Sequence, residues 1–280
     1  MKTSTDTLTG VRDHYADVAR KAEDCSGDLK EGAQSRARQM GEEVAAAVHG
    51  AERVASLPKA AVSSCRGCAD SVGRAALQPG ETVLDLGSGG GADALIAAQQ
   101  VGSTVYVYGL DMTDEMLALA ARNAEEAQVT NVEFLKGHIE DIPLPNRSVD
   151  AVLSNCVLNF SANKRSVLRE AFRVLRPGGR IIISDIVSLA PIPTEAYDAL
   201  CSYLGCLNGM SSLEEYQALF ESVGFERVVA SQTTVYSYAR LEEKALARGR
   251  EDQFAPLKGL ASAIDGVSGS VIFEAQKPEA

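Results

Sequence analysis

Tryptophan is absent, and histidine occurs only three times in 280 residues, at positions 14, 49 and 138. The first absence removes indole stacking as a recognition device. The second leaves little for a mechanism built on histidine acid–base chemistry or histidine metal ligation. Long apolar runs are missing as well: no stretch nears the ~18 consecutive apolar residues of a membrane helix. The N-terminal MKTSTDTLTGVRDHYADVARKAED carries no apolar signal core. Neither export nor membrane insertion is expected, and the sequence reads as cytoplasmic. Positive charge is in deficit, with 27 Lys and Arg against 38 Asp and Glu for a net charge of −11. Nucleic acid and anionic membrane are therefore not expected as main partners.

What is present suits an ordinary globular chain: 45% hydrophobic and 23% charged residues, enough to bury a core in one large domain with an appendage, or in two. Six cysteines stand at 25, 65, 68, 156, 201 and 206. In a reducing compartment they are free thiols that need a chemical explanation rather than a disulfide framework. Cys65-x-x-Cys68 has no companion CxxC or HxxxH pair, so no structural metal is expected.

From Thr82 to Val187 short β-rich runs alternate with helical stretches, the pattern of a parallel sheet covered by helices. Strands are expected at Thr82–Leu86, Thr104–Leu110, Val132–Leu135, Val149–Ser154 and Arg180–Val187. Between them, helices run from the glycine loop to Ala98, from a Thr113 cap to about Gln128, and from Lys164 to Leu175, the last stopped by Arg176-Pro177-Gly178-Gly179. The stripe Met116, Leu117, Leu119 and Ala120 reads as helix-to-sheet packing. Residues 1–75 read as a helical segment contributing to the substrate site, and 76–190 as the α/β core. Residues 191–280 read as an α+β substrate cap, with a helix over about 194–209, a Ser212-x-x-Glu215 capping box opening a helix closed by Gly224, and strands near 226–236 and 270–276. The segment 240–268 gives no clear pattern.

The most informative stretch is Val83-Leu84-Asp85-Leu86-Gly87-Ser88-Gly89-Gly90-Gly91, a strand feeding a glycine loop. A dinucleotide fingerprint counted from Gly87 would place its last glycine at Ala92. Asp85, just before the loop, would repel a pyrophosphate and attract an ammonium group. Asp111 closes the second strand, where a carboxylate accepts ribose hydroxyls. A ligand with an amine and a ribose but no phosphate fits, and S-adenosylmethionine is such a ligand. This D-x-G-x-G-x-G loop with a second-strand acid resembles the class I methyltransferases, whose Rossmann-like sheet carries helices on both faces. The resemblance implies that Asp85, Gly87, Ser88, Gly89 and Gly91 meet the methionine part, that Asp111 meets the ribose, and that Met112, Ile139 and Glu140 lie at the adenine. Asn155 touches the donor or caps a turn; Ser88 is a ligand contact or a helix N-cap.

Oxygen and nitrogen acceptors usually need a base, and the three histidines are poorly placed to supply one. Cys156 directly follows the fourth strand at the ligand-binding edge of such a sheet. Cys68 precedes the first strand, and Cys206 lies in the cap. Through LPKAAVSSCRGCAD, VLDLGSGGGAD, GLDMTDEML, NVEFLKGHIEDIPLP, LSNCVLNFS, FRVLRPGGRIIISDIV and LGCLNGM, the chain resembles the arsenite S-adenosylmethionine methyltransferases. The resemblance implies that Cys68, Cys156 and Cys206 are thiolate ligands of trivalent arsenic, a substrate that presents a lone pair and needs no base. Arsenite or its glutathione complex would be the incoming form, with thioredoxin or glutathione as reductant. Members carry a further cysteine after a D-L-K segment, whereas here Asp28-Leu29-Lys30 leads to Glu31-Gly32-Ala33, with Cys25 upstream. Cys65 and Cys201 are additional thiols, and Cys201 reads as core. Two other readings remain: a methyltransferase for a sterol- or quinone-type acceptor, and a thiol-rich sequestering protein.

Overall fold

The computed structural model describes residues 4–23, 33–204, 209–247 and 251–279. Five helices lead the chain: α1 (Ser4–Glu23), α2 (Ala33–His49), α3 (Ala51–Ala55), α4 (Lys59–Ser64) and α5 (Ser71–Arg74). An alternating core follows, with β1 (Val83–Leu86), α6 (Ala92–Val101), β2 (Val107–Asp111), α7 (Asp114–Glu126), β3 (Val132–Lys136), β4 (Val149–Asn155), α8 (Lys164–Val174) and β5 (Leu175–Ser188). The remainder is α9 (Thr194–Leu204), α10 (Leu213–Val223), β6 (Glu226–Val235), α11 (Tyr238–Ala247), α12 (Glu251–Phe254), α13 (Ala261–Ile264) and β7 (Ser268–Gln276).

The seven strands form one sheet in the order β3-β2-β1-β4-β5-β7-β6. The first five are parallel, while β7 runs antiparallel to both β5 and β6. Strand order reverses between β1 and β4, and such a switch point opens a crevice at the carboxyl ends of the strands. The expected alternation from 82 to 187 is thus observed, with a later start for β2 and a longer β5 that takes in Arg176-Pro177-Gly178-Gly179. Every residue of β1 is buried, including Asp85. This is the burial expected of a central parallel strand covered on both faces.

Two long-range arrangements were not visible in local pattern. Residues 191–280 supply β6 and β7 to the sheet as well as helices packed near its carboxyl edge. The stripe on α7 meets more than the sheet, because Met116 and Leu119 pack with Val18, Ala19 and Ala22 of α1. The capping box of α10 forms as its sequence suggests: Ser212 Oγ accepts from Glu215 N at 3.1 Å, Glu215 Oε2 accepts from Ser212 N at 2.8 Å, and Gly224 closes the helix at φ 105°. Thr113, expected to cap α7, makes no such side-chain bond. Its hydroxyl bonds to Asp111 instead. The stretch 240–268, unassigned from sequence, is largely helical.

Candidate active site

A cleft of about 130 Å³ lies at the carboxyl edge of the sheet, walled by the segments that follow β1, β2, β3 and β4. From the expected donor set it gathers Asp85, Gly87, Ser88, Gly89, Asp111, Met112, Ile139, Glu140 and Asn155. Gly90 reaches the cleft, whereas Gly91 does not line it. Gly91 is the N-cap of α6 in the left-handed conformation at φ 88°. A Cβ there would stand 3.0 Å from the Phe134 ring and 3.2 Å from Ala120 Cβ, so glycine is needed for packing as well as for the turn.

Asp111 organises the loop. Its Oδ2 accepts from Gly89 N at 3.0 Å and its Oδ1 from Thr113 N at 2.9 Å. Burial still raises its pKa, against the pull of these donors. Asp85 is raised further: burial dominates, repulsion from Asp93 and Asp111 adds to it, and attraction from His49 opposes it. Among the described residues, Asp85 Oδ2 and Ser88 Oγ are buried atoms with no hydrogen-bond partner. Because buried polar atoms are ordinarily satisfied, these two mark places for ligand donors. An ammonium group would answer Asp85. Ser88 is not the N-cap of α6, which settles the helix-cap alternative against itself. The residues present therefore fit a ligand with an amine and a ribose.

Several cleft features had no sequence signal. Tyr15 of α1 and Phe160 line it, their rings meeting edge to face at 5.9 Å. His49 is fully buried behind the cleft, with Nε2 3.1 Å from Asp93 Oδ1 and Nδ1 3.6 Å from Asp70 Oδ1. Cys65 Sγ lies 4.0 Å from the same Nε2. Burial alone would strip the proton from His49, but Asp70, Cys65 and Asp93 outweigh it and raise the pKa from 6.5 to about 10. The histidines are expected from sequence to be poorly placed to supply a base, and His49, though adjacent to the cleft wall, is tied up by Asp70 and Asp93. Its carboxylate neighbours favour the imidazolium form of His49, so it does not stand ready as a base. Asp93, in the first turn of α6, could have been suspected from its position; His49 could not, because its partners lie 16 to 44 residues away.

Of the expected arsenic ligands, Cys156 and Cys68 do not line the cleft, whereas Cys65, an additional thiol outside that expected set, does. Cys156 follows the cleft residue Asn155 and precedes the cleft residue Val157, yet its own side chain joins a buried cluster with Ile186, Ala196, Leu200 and Phe254, against which Cys68 also packs. Cys156 holds a left-handed backbone at φ 59°, and its N–H donates to Ser184 O at 2.7 Å. A non-glycine residue in that conformation carries strain of roughly 1–3 kcal/mol and is enriched at functional sites. Cys25 and Cys206 lie outside the described residues, and the side chain of Cys201 is likewise outside them. No cluster of three or more metal-ligating His, Cys, Asp or Glu side chains occurs among the described residues. No helix there is long and apolar enough to cross a membrane.

Sheet order, glycine loop, second-strand acid and cleft together define a class I, Rossmann-like methyltransferase. The chain belongs to the methyltransferase domain family, which matches residues 77–224. An arsenite methyltransferase from Halobacterium salinarum is 40% identical over 230 residues, covering 80% of this chain and 58% of that protein. A demethylmenaquinone methyltransferase from Listeria monocytogenes is 32% identical over 174 residues, covering 59% of this chain and 73% of that protein. Among solved structures, an arsenic(III) S-adenosylmethionine methyltransferase from Chlamydomonas reinhardtii aligns with a TM-score of 0.61 at 28% identity, covering 81% of this chain and 72% of that one. The chain thus spans little more than half the length of the Halobacterium protein.

Proposed function

We propose that this chain transfers the methyl group of S-adenosylmethionine to trivalent arsenic held by protein thiolates. The observation that carries the reading is the placement of Cys156 in a buried cluster next to the cleft residues Asn155 and Val157, with the partly buried Cys68 packed against the same cluster. Likeness to arsenite methyltransferases over 80% of the chain supports it. The quinone-type reading draws support from the Listeria relative, but it gives no part to the thiols.

The donor, when held in the cleft, would supply an electrophilic sulfonium methyl group: an arsenic lone pair would form the arsenic–carbon bond while the carbon–sulfur bonding pair stays on sulfur and leaves as S-adenosylhomocysteine. The protein supplies orientation. Asp85 receives the ammonium group, Asp111 the ribose hydroxyls, and Ser88 Oγ with the loop backbone the methionine end. Met112, Ile139, Tyr15 and Phe160 supply apolar walls for the adenine and exclude water. Cys68 and Cys156, with Cys206 as third thiolate, aim the arsenic. Holding two reactants in line can supply several orders of magnitude in rate, and no proton need be removed from the nucleophile. Arsenite or its glutathione complex is the incoming substrate; each transfer leaves arsenic formally pentavalent, so two thiols oxidised to a disulfide would return it to the trivalent state before a further methylation, and thioredoxin or glutathione would reduce that disulfide to complete a detoxifying cycle. Incubating the purified protein with arsenite, donor and glutathione is expected to yield methylated arsenicals, separable by chromatography with arsenic detection. Normal donor binding with no methylated arsenic would overturn the reading.

A further inference from the structure

Asn155 ends β4 and lines the cleft, the position at which a donor contact is expected. Its amide is nevertheless consumed inside the protein. Oδ1 accepts from Cys68 N at 2.8 Å, and Nδ2 donates to Ala69 O at 2.8 Å and to Asp93 Oδ2 at 3.2 Å. A primary amide has two N–H donors, and both are taken. Gly67 lies against the same side chain so closely that a Cβ on it would stand 2.5 Å from Nδ2.

The three residues Gly67, Cys68 and Ala69 form a strap between α4 and α5. Its far end is fixed independently, since Ser71 Oγ donates to Ser154 O at 3.1 Å and shares a 2.8 Å contact with Ser184 Oγ. At the centre of the strap only Asn155 makes side-chain hydrogen bonds to the backbone of Cys68 and Ala69 among those described. The adjoining residue of β4 is Cys156. One side chain therefore references the strap thiol to the strand that carries the second thiol. It also references both to Asp93, which lines the donor cleft and partners His49.

We infer that Asn155 is a positioning residue that sets the Cys68 thiol in register with Cys156 and the donor cleft, and that it does not bind the donor. The inference rests on the arsenic reading for its purpose, but the tether itself is a property of the fold. Removing the amide strands the Cys68 N–H, leaves the Ala69 carbonyl with only its bond from Ser71 N and loosens the strap, while the residues that would hold the donor remain.

The test combines a thermodynamic cycle with a reading that needs no arsenic. For Asn155→Ala, titration calorimetry is expected to show S-adenosylhomocysteine affinity within about threefold of wild type, and affinity for phenylarsine oxide down about tenfold or more. In a Cys68→Ser background, Asn155→Ala is expected to change phenylarsine oxide affinity no further, because coupled residues are non-additive. Full additivity, or an equal loss of S-adenosylhomocysteine affinity, overturns the inference. Separately, iodoacetamide labelling followed by mass spectrometry is expected to show Cys68 alkylated about tenfold faster in Asn155→Ala than in wild type, with Cys65 as internal reference. Gly67→Ala, which pushes on the same contact from the strap, is expected to act in the same direction if Asn155→Ala folds poorly. Unchanged Cys68 labelling in a folded variant also overturns the inference. Wild type that binds no arsenical defeats the functional reading instead, and leaves the labelling result to judge the tether.

Discussion

Asp111 Oδ2 and the backbone N–H of Gly89 are joined by a 3.0 Å hydrogen bond that spans 22 residues and ties the end of β2 to the glycine loop of β1. One carboxylate thus shapes the loop and, in the proposed donor site, would offer an acceptor to a ribose. Asp111→Ala removes both roles, and S-adenosylhomocysteine affinity is expected to fall about a hundredfold, as for loss of more than one charge-assisted hydrogen bond. Asp111→Asn keeps one oxygen and is expected to lose about tenfold. Titration calorimetry measures both, and affinities within twofold of wild type would remove Asp111 from the donor site.

In the proposed donor site Asp85 would trade stability for ligand binding. Its carboxylate is buried beside two other carboxylates, so its folded pKa stands above the ordinary value. A group raised in this way favours the folded state while protonated, and that contribution is lost as pH climbs past the usual carboxylate range. Asp85→Asn keeps the shape without the charge. At neutral pH the ligand-free variant is expected to melt about 2–4 °C above wild type, yet to gain less than wild type on adding S-adenosylhomocysteine. Thermal melts with and without ligand test this, and a variant that melts lower but is protected equally would contradict it.

His49 makes the opposite bargain among its neighbours. Its folded pKa of about 10 exceeds the ordinary 6.5, so the imidazolium cage contributes fully below about pH 6.5 and fades as pH rises toward 10. Wild-type melting temperature is expected to decline across that window, with a smaller decline in His49→Gln. The comparison needs only melts from pH 6.5 to 10, and parallel curves for the two proteins would show that His49 does not titrate in this way.

The alternating core was legible because its elements carry their own signals: a buried apolar strand, a glycine loop, a stop, although the cap expected at Thr113 does not form. Asp85, Ser88 and Asp111 could be chosen because their roles follow from position within a few residues of those signals. Three features were not legible. Pairing of β5 with β7 joins Arg180 to Gln276, and nothing local to either strand names the other. The α1 contact with Met116 looks in sequence like any apolar stripe. The cage of His49 depends on Asp70 and Asp93 meeting behind the cleft, a product of how α2, the Asp70 cap of α5 and α6 pack. The thiols show the same limit from another side: position after β4 brought Cys156 to the right edge of the sheet, but not its left-handed backbone, which turns the side chain into the cluster beyond the cleft wall.

That placement separates the thiols by role. Cys68 and Cys156 share the buried cluster, whereas Cys65 lines the cleft beside His49. If arsenic is held by the first pair, Cys68→Ser and Cys156→Ser each remove a soft ligand that a hydroxyl cannot replace. Arsenic methylation by either variant is expected to fall at least about a hundredfold, the scale of a misplaced reactant, with S-adenosylhomocysteine affinity unchanged. Cys65→Ser leaves that pair intact and is expected to keep arsenic methylation within about threefold of wild type. Activity lost in Cys65→Ser but retained in Cys68→Ser would move the arsenic into the cleft itself, with the His49 side of the cleft rather than the Asn155 strap presenting it to the methyl group.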